Sequence, residues 1–337
     1  MIVRIIAFTG KGCALGEKLA DLLAPDDASC ASATGEEKVS LSGWTADCFQ
    51  SADTLVFIGA TGIAVRAIAP HLKSKTTDPA VLVVDDLGRF CISLVSGHLG
   101  GANELARRVA ALLGATPVIT TATDGAGVFA VDTWAKSQGL RIRNPEAIKL
   151  VSGKLLAGQT VRLKSDFPVT GRLPDGVALV TEKPFDMAIT IKQGGAAGTL
   201  YLVPPVAYLG VGCRKNITRE ALDEAYDKLL AKGSLDPAAV CGAASIDLKR
   251  EEAGLLEFCK SRGLPFTVYK PGTLNRAAGN FTASAFVQKT TGTDNVCERS
   301  SVVASQGGRL ILKKNAGNGV TMAMALKDYT VKFEECV

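Results

Sequence analysis

Apolar and polar positions alternate in blocks along this chain rather than residue by residue. In residues 1–133, Val3–Thr9, Thr54–Ile58, Val81–Val84, Cys91–Val95 and Pro117–Thr121 are short apolar runs of strand length. The stretches between them carry the helical period. One helix runs to Leu23, and another from Ile63 to about Leu72 buries Ile63, Ala64, Ala67 and Ile68. A third sets Leu105, Val109, Leu112 and Leu113 on one face and Glu104, Arg107 and Arg108 on the other, with Gly114 as its stop. Asp85-Asp86-Leu87-Gly88-Arg89 joins two of the apolar runs as a hairpin turn. Pro25–Ser42 is polar and punctuated, a loop or an irregular strand connection.

The texture changes at Trp134. Asn144-Pro145 predicts a helix start, N-cap then N1, for a helix running to Ala157 and closed by Gly158. Strand-like runs follow at Val161–Lys164, Ala178–Thr181, Met187–Lys192 and Thr199–Val203, and Pro204-Pro205 ends the unit. Val206–Val211 then opens a second strand–helix series through Val240–Ser245, Lys249–Ser261 and Phe266–Tyr269, closing with a hairpin of Arg309–Lys313 and Val320–Leu326. The expected fold is α/β and multi-domain. Two α/β lobes with mixed sheets, residues 1–133 and 206–337, flank a small α+β middle domain at 134–203.

Composition narrows the functions. The net charge of +5, from 38 basic and 33 acidic residues, is mild and scattered, with no basic run interleaved with aromatics, so nucleic acid is not expected. It suits a small polyanionic ligand. No apolar run approaches the roughly 20 residues of a membrane span, and the chain enters a strand at Met1-Ile2-Val3 without a signal-peptide pattern. Nine cysteines, an odd count never arranged as C-x-x-C, fit buried thiols in a reducing cytoplasm. Nothing at ligand spacing assembles a metal site from them and the histidines His71 and His98.

The candidate chemistry lies where strands hand over to helices. Ser96-Gly97-His98-Leu99-Gly100-Gly101-Ala102-Asn103-Glu104 is a glycine-rich loop entering a helix, where bare N–H groups favour an anion. Thr120-Thr121-Ala122-Thr123-Asp124-Gly125 leaves the next strand toward the same expected edge. Gly59-Ala60-Thr61-Gly62 opens the helix that bears Arg66. That cation is expected on the first turn, against the helix dipole, and is either held for an anionic ligand or a solvated surface group. Gly10–Gly16 narrowly misses a dinucleotide fingerprint, since Leu15 stands where the third glycine belongs. A tight strand-to-helix turn is the plainer account, and a nucleotide-dependent enzyme the alternative that would use it. In the last third, Gly210-Val211-Gly212-Cys213-Arg214-Lys215 and Val296-Cys297-Glu298 repeat the loop-to-helix pattern.

At these loops the chain resembles the cobalt-precorrin-5A hydrolase family of anaerobic cobalamin biosynthesis, from about residue 45 to the end. The resemblance implies a hydrolase acting on a carbon–carbon bond. Water opens the δ-lactone of a cobalt-bearing macrocycle and a two-carbon fragment leaves as acetaldehyde. It implies no protein cofactor, because the substrate carries the cobalt, and it makes neighbouring pathway enzymes possible partners. Lactone opening needs an activated water and donors for the oxyanion. His98 is the candidate general base, or else a tie for its loop. Glu104 and Asp124 either assist it or serve as a helix-start acid and a turn residue. Gly59, Thr61, Gly62 and Arg66 are expected to contact the substrate, as are Ser96, Gly97, Gly100, Gly101, Asn103 and Thr121. Gly212, Cys213, Arg214 and Glu298 extend that set, with a buried thiol and a helix-start acid as the alternatives for Cys213 and Glu298. A non-catalytic carrier of a cobalt corrinoid needs the same loops without the base.

Overall fold

In the computed structural model, which describes residues 1–36, 38–74, 77–97, 100–121 and 126–333, the apolar runs become strands of three main sheets and a two-stranded ribbon. The chain divides into two units, Met1–Lys136 and Ser137–Val337.

The first unit is built on β1 (Ile2–Ala7), β2 (Asp27–Ser32), β3 (Thr54–Ile58), β4 (Ala80–Val84), β5 (Phe90–Val95) and β6 (Thr116–Val118), in the order β2-β1-β3-β4-β5-β6. β1 to β4 are mutually parallel, β5 runs antiparallel to β4 as the expected hairpin, and β6 is parallel to β5. Strands β3 and β4 are buried at every position, as continuous apolar runs covered on both faces must be. On one face α1 (Gly10–Leu22) and α4 (Ala102–Leu113) pack Leu19, Leu105 and Val109 onto Ile5, Val56 and Leu82. On the other, α2 (Leu41–Ser51) and α3 (Thr61–Ile68) lay Cys48, Ala64 and Ile68 over Ile6, Phe57 and Val83. A short helix, α5 (Val131–Ser137), lies at the division between the units.

Two local expectations are corrected here. Gly10–Gly16 is no loop: Thr9 caps α1 directly by accepting from Gly12 N at 3.0 Å, and both inner glycines sit inside the helix. A Cβ on Gly16 would lie 2.4 Å from Cys30 Sγ, so that glycine serves close helix–sheet packing and no phosphate cradle exists. Pro25–Ser42 contains the edge strand β2, whose Asp27-Ala28-Ser29-Cys30-Ala31-Ser32 has no β-branched residue to announce it. Helix α2 follows Ser40, which accepts from Gly43 N.

In the second unit, β7 (Arg141–Ile142), β8 (Val161–Ser165), β10 (Val177–Leu179), β11 (Met187–Ile189) and β12 (Leu200–Val203) form a sheet ordered β10-β8-β11-β12-β7. β9 (Val169–Thr170) pairs with β18 (Val331–Lys332). Asn144 and Pro145 stand at the N-cap and N1 positions as expected, but Asn144 makes no side-chain capping bond. Its amide accepts from Tyr201 N at 2.9 Å and donates to Thr199 O at 2.9 Å, so a single 3₁₀ turn precedes α6 (Ile148–Leu156). The last sheet, in the order β15-β14-β13-β17-β16, combines parallel β13 (Ala207–Cys213), β14 (Val240–Ile246) and β15 (Phe266–Tyr269) with the hairpin β16 (Arg309–Gly317) and β17 (Val320–Leu326). Helices α7 (Arg219–Gly233) and α8 (Ala253–Ser261) cover one face through Leu222, Tyr226, Leu229 and Phe258. Short α9 (Pro271–Asn275) and α10 (Ala285–Thr291) lead into α11 (Val296–Ala304), which lies directly on β13.

That contact permits no side chain at Gly210, where a Cβ would stand 1.8 Å from Cys297 O. Gly210→Ala should cost about 2 kcal/mol and lower the apparent Tm by about 4–8 °C. Gly153, inside α6 with open space around it, should accept alanine with a gain of about 1–3 °C. Differential scanning calorimetry of the two variants checks both signs.

Candidate functional site

Strand direction decides which loops of the first unit can share a site. The loops after β5 and β6 leave the sheet at one edge, because those strands are parallel. The turn after β3 leaves at the other edge, because β5 runs against β4 and β3 runs with it. Hydrogen bonds mark the two ends: Gly59 N donates to Val84 O at 2.8 Å, whereas Ser96 Oγ donates to Asp78 O at 3.0 Å, before β4 begins. A five-residue strand separates the edges by about 17 Å. Gly59, Thr61, Gly62 and Arg66 therefore do not stand with Ser96, Gly97, Gly100, Gly101, Asn103 and Thr121. The single loop cluster expected from the sequence is two groups.

The Ser96 edge is organised by Asn103, which is 4% exposed. Its Oδ1 accepts from Ser93 Oγ at 2.7 Å and its Nδ2 donates to Thr121 Oγ1 at 3.0 Å, tying β5, the glycine loop and the loop after β6 together. A Cβ on Gly97 would meet Asn103 Oδ1 at 2.7 Å, and one on Gly100 would meet Ser96 Cβ at 2.3 Å. Ser96 itself takes φ +58 and Gly101 φ +84, a left-handed backbone that costs serine about 1 kcal/mol. The helix-start donors expected to meet an anion are mostly spent on the loop. Ala102 N donates to Ser96 O at 3.1 Å and Asn103 N to Gly97 O at 2.9 Å. Glu104 is exposed on the first turn and bonds to no described residue. Lys136, which sequence reasoning did not single out, brings Nζ to 3.5 Å from the Cβ position of Gly101. His98 and Asp124 lie outside the described residues.

At the opposite edge the helix start is open. No described residue accepts a hydrogen bond from Thr61 N or Gly62 N, and α3 has no side-chain cap. Gly59, at φ +154, has the Phe8 ring 2.9 Å from its Cβ position. Arg66 lies on the last turn of α3 and not on the first as expected, because that helix is only eight residues long, and there the dipole welcomes a cation without any ligand. Its guanidinium folds back to Gly62 O at 3.5 Å.

The second unit holds a concavity of about 1380 Å³ at the carboxyl ends of β13 and β14, where open α/β sheets gather ligands. Gly212, Cys213 and Arg214 line it, together with Lys215, Lys249 and Lys314. Leu248, Phe286, Val287 and Val296 give it apolar walls. Lys249 Nζ and Glu252 Oε2 pair at 2.8 Å, 14% and 8% exposed. Burial works against the Glu252 carboxylate, but Lys249 and the N–H groups of Ile217 and Asn216 outweigh it and hold its pKa below the ordinary value. Cys213 is no nucleophile at neutral pH, because burial pushes its thiol up to about 11. Glu298 is corrected. Fully buried, its carboxylate accepts from Thr282 N at 2.7 Å, Thr282 Oγ1 at 2.9 Å and Lys314 N at 2.7 Å, holding the cleft wall from behind without facing the cleft. Among the described residues no group of three or more His, Cys, Asp or Glu side chains could hold a metal ion, and no helix is long and apolar enough to cross a membrane.

Known sequences match most of this chain. The family description "Cobalamin synthesis G N-terminal" matches residues 43–124, "Cobalamin biosynthesis central region" 129–192 and "Cobalamin synthesis G C-terminus" 207–325. A protein of Salmonella typhimurium named cobalt-precorrin-5A hydrolase is 33% identical, covering 96% of this chain and 97% of its own. One of that name from Priestia megaterium is 33% identical over 83% of this chain and 80% of its own. A solved chain described as a homologue of cobalamin biosynthesis protein G from Sulfolobus solfataricus is 23% identical over 96% of this chain and 97% of its own, with a TM-score of 0.41.

The buried thiols carry a pH dependence. Burial pushes Cys91, Cys259 and Cys297 up to about 12 and Cys30 and Cys213 up to about 11, from an ordinary 9.0. Folding thus favours the protonated thiols. Their contribution is complete below pH 9 and should fall away as pH rises through 11 to 12. Urea midpoints measured from pH 8 upward should decline in that window, and iodoacetamide at pH 7.5 should leave Cys213 largely unmodified by peptide mass mapping.

Proposed function

The chain belongs to the cobalt-precorrin-5A hydrolase family, and from that premise we propose that it is itself a cobalt-precorrin-5A hydrolase. The observation that carries this reading is the 33% identity sustained over 96% of the chain and 97% of the relative. Water adds to the lactone carbonyl and the acyl–oxygen bond breaks, giving a carboxylate and an alkoxide. The alkoxide collapses to the carbonyl of acetaldehyde as its carbon–carbon bond to the macrocycle breaks. The electron pair stays on the macrocycle and takes a proton. Cobalt enters and leaves with the substrate, and no cofactor of the protein's own is needed.

The Ser96–Asn103 edge supports this chemistry better than the Gly59 edge. Asn103 fixes a loop of few conformations against a second polar loop at Thr121, and preorganised groups at a reacting centre cost no rearrangement when charge develops. His98 acts as the base on this loop, since imidazole is the side-chain type suited to proton transfer near neutral pH, and the Lys136 ammonium beside Gly101 stabilises the oxyanion. Arg66 has no part in it. A cytoplasmic setting and hand-over to neighbouring pathway enzymes complete the reading.

Anaerobic incubation of the purified chain with the cobalt-bound lactone should release acetaldehyde, detected as its hydrazone. A carrier would bind the lactone and release none. His98→Ala should abolish release while retaining affinity for the macrocycle, and Lys136→Met should lower kcat by about 10-fold or more. Arg66→Ala, at the opposite edge, should leave kcat and KM within about twofold. A large loss in Arg66→Ala with an active His98→Ala would move the reaction to the Gly59 edge.

A further inference from the structure

We propose that the cleft of the last sheet is the docking site for a large, apolar-faced ligand with a rim of carboxylates. Leu248 and Phe286 take its face, and Arg214, Lys215 and Lys314 take its rim. The identity of that ligand as a cobalt corrinoid rests on the hydrolase reading; the site itself does not. At about 1380 Å³ the cleft exceeds the roughly 300–1,000 Å³ typical of small-molecule sites. Among the described residues, Phe286 at 77% and Leu248 at 65% are the most exposed large hydrophobic side chains of the chain, and both line this one cleft. Apolar side chains left in water at a cavity mouth gain free energy when a ligand covers them.

The charges of the cleft fall into two kinds. Lys249 is spent on Glu252, and that pair also holds Ile217 N, so it is part of the floor. Arg214, Lys215 and Lys314 form no ion pair with any described residue, and Glu251 is the one lining acid left unpaired against them. Two of the three cations are held in place by main chain. Arg214 N donates to Gly319 O at 2.9 Å and its side chain lies over Gly319, where a Cβ would stand 2.7 Å from Arg214 Cδ. Lys314 N is anchored on the buried Glu298 at 2.7 Å. Cations fixed at their backbones and unpaired at their heads, beside a bare apolar mouth, suit several carboxylates around one hydrophobic body. A small inorganic anion would leave Leu248 and Phe286 uncovered, and a neutral hydrophobic ligand would leave the cations unanswered.

The test titrates the full chain with two cobalt corrins that share one ring, dicyanocobyrinic acid, which bears seven carboxylates, and its amide counterpart dicyanocobinamide. The acid should bind at least about 10-fold more tightly, and the difference should shrink as salt rises. Phe286→Ser and Leu248→Ser should weaken both corrins by about fivefold. Arg214→Gln and Lys314→Gln should weaken the acid by about fivefold and leave the amide within about twofold. Equal affinity of the unaltered chain for the two corrins, or unchanged binding of the acid by all four variants, would overturn the proposal. Acetaldehyde release is read separately. Its absence beside the expected binding pattern refutes the hydrolase reading alone, and its presence with unaltered binding refutes the docking site alone.

Discussion

A strand carries its following loop to the edge toward which it points, and in the first unit this one constraint sorts every motif. β1 to β4 deliver Thr9, the Gly59 turn and Asp85 to one edge; β5, reversed by its hairpin, delivers Ser96 to the other, and β6 adds Thr121 beside it. Motifs adjacent in sequence are thereby placed on opposite ends of a sheet whose central strands are wholly buried. No side-chain rearrangement can bring them together, because the antiparallel pairing of β5 with β4, Cys91 opposite Val84, fixes the direction in which β5 runs.

The two edges also differ in what their helix starts offer. At α4 the glycine loop curls back so that its own carbonyls occupy the first N–H groups, and the glycines are there because Asn103 and Ser96 leave room for nothing larger. At α3 no described residue takes the N–H groups of Thr61 and Gly62. Glycine-rich loops before helices thus do opposite things in one domain. One is closed on itself, with its flanking residues preorganised; the other is an open turn whose glycine answers a neighbouring aromatic ring, Phe8.

Much of the fold was legible because burial on both faces makes strands read as unbroken apolar runs, as at Leu55–Ile58 and Val81–Val84. The hairpin turn at Asp85–Arg89 was legible too, with Asp85 Oδ1 accepting from Arg89 N and Phe90 N at 2.7 Å each. What escaped notice was written in small residues or distant partners. β2 is a strand only because β1 pairs with it, and its six residues carry no β-branched side chain. Gly10–Gly16 looked like a loop because helix propensity counts against glycine, while the packing that requires Gly16 comes from Cys30, Ile58 and Ile5 on other strands. Asn144 had the composition of a cap and a different employer, the β12 backbone. The candidate site shows the same division. Gly212, Cys213 and Arg214 were found by their loop pattern, whereas Leu248, Phe286 and Lys314 carry no local signal and become a cleft only through the sheet.

Glu298 shows how far a polar residue's value can lie from its chemistry. A carboxylate taken fully out of water is tolerated only when hydrogen bonds replace its hydration, and here three donors from two distant segments supply them. Its neighbour Cys297 is buried as well and its thiol is raised to about 12 by that burial, so the start of α11 contributes neither base nor nucleophile. The polar groups of this wall are consumed in fixing β16 and the segment around Thr282. The consequence reaches the opposite side of the wall. Because the acid faces inward and is fully satisfied, the Lys314 side chain on the same strand segment has no counter-ion among the described residues, and the positive character of the cleft follows from where the fold chose to bury its negative charge.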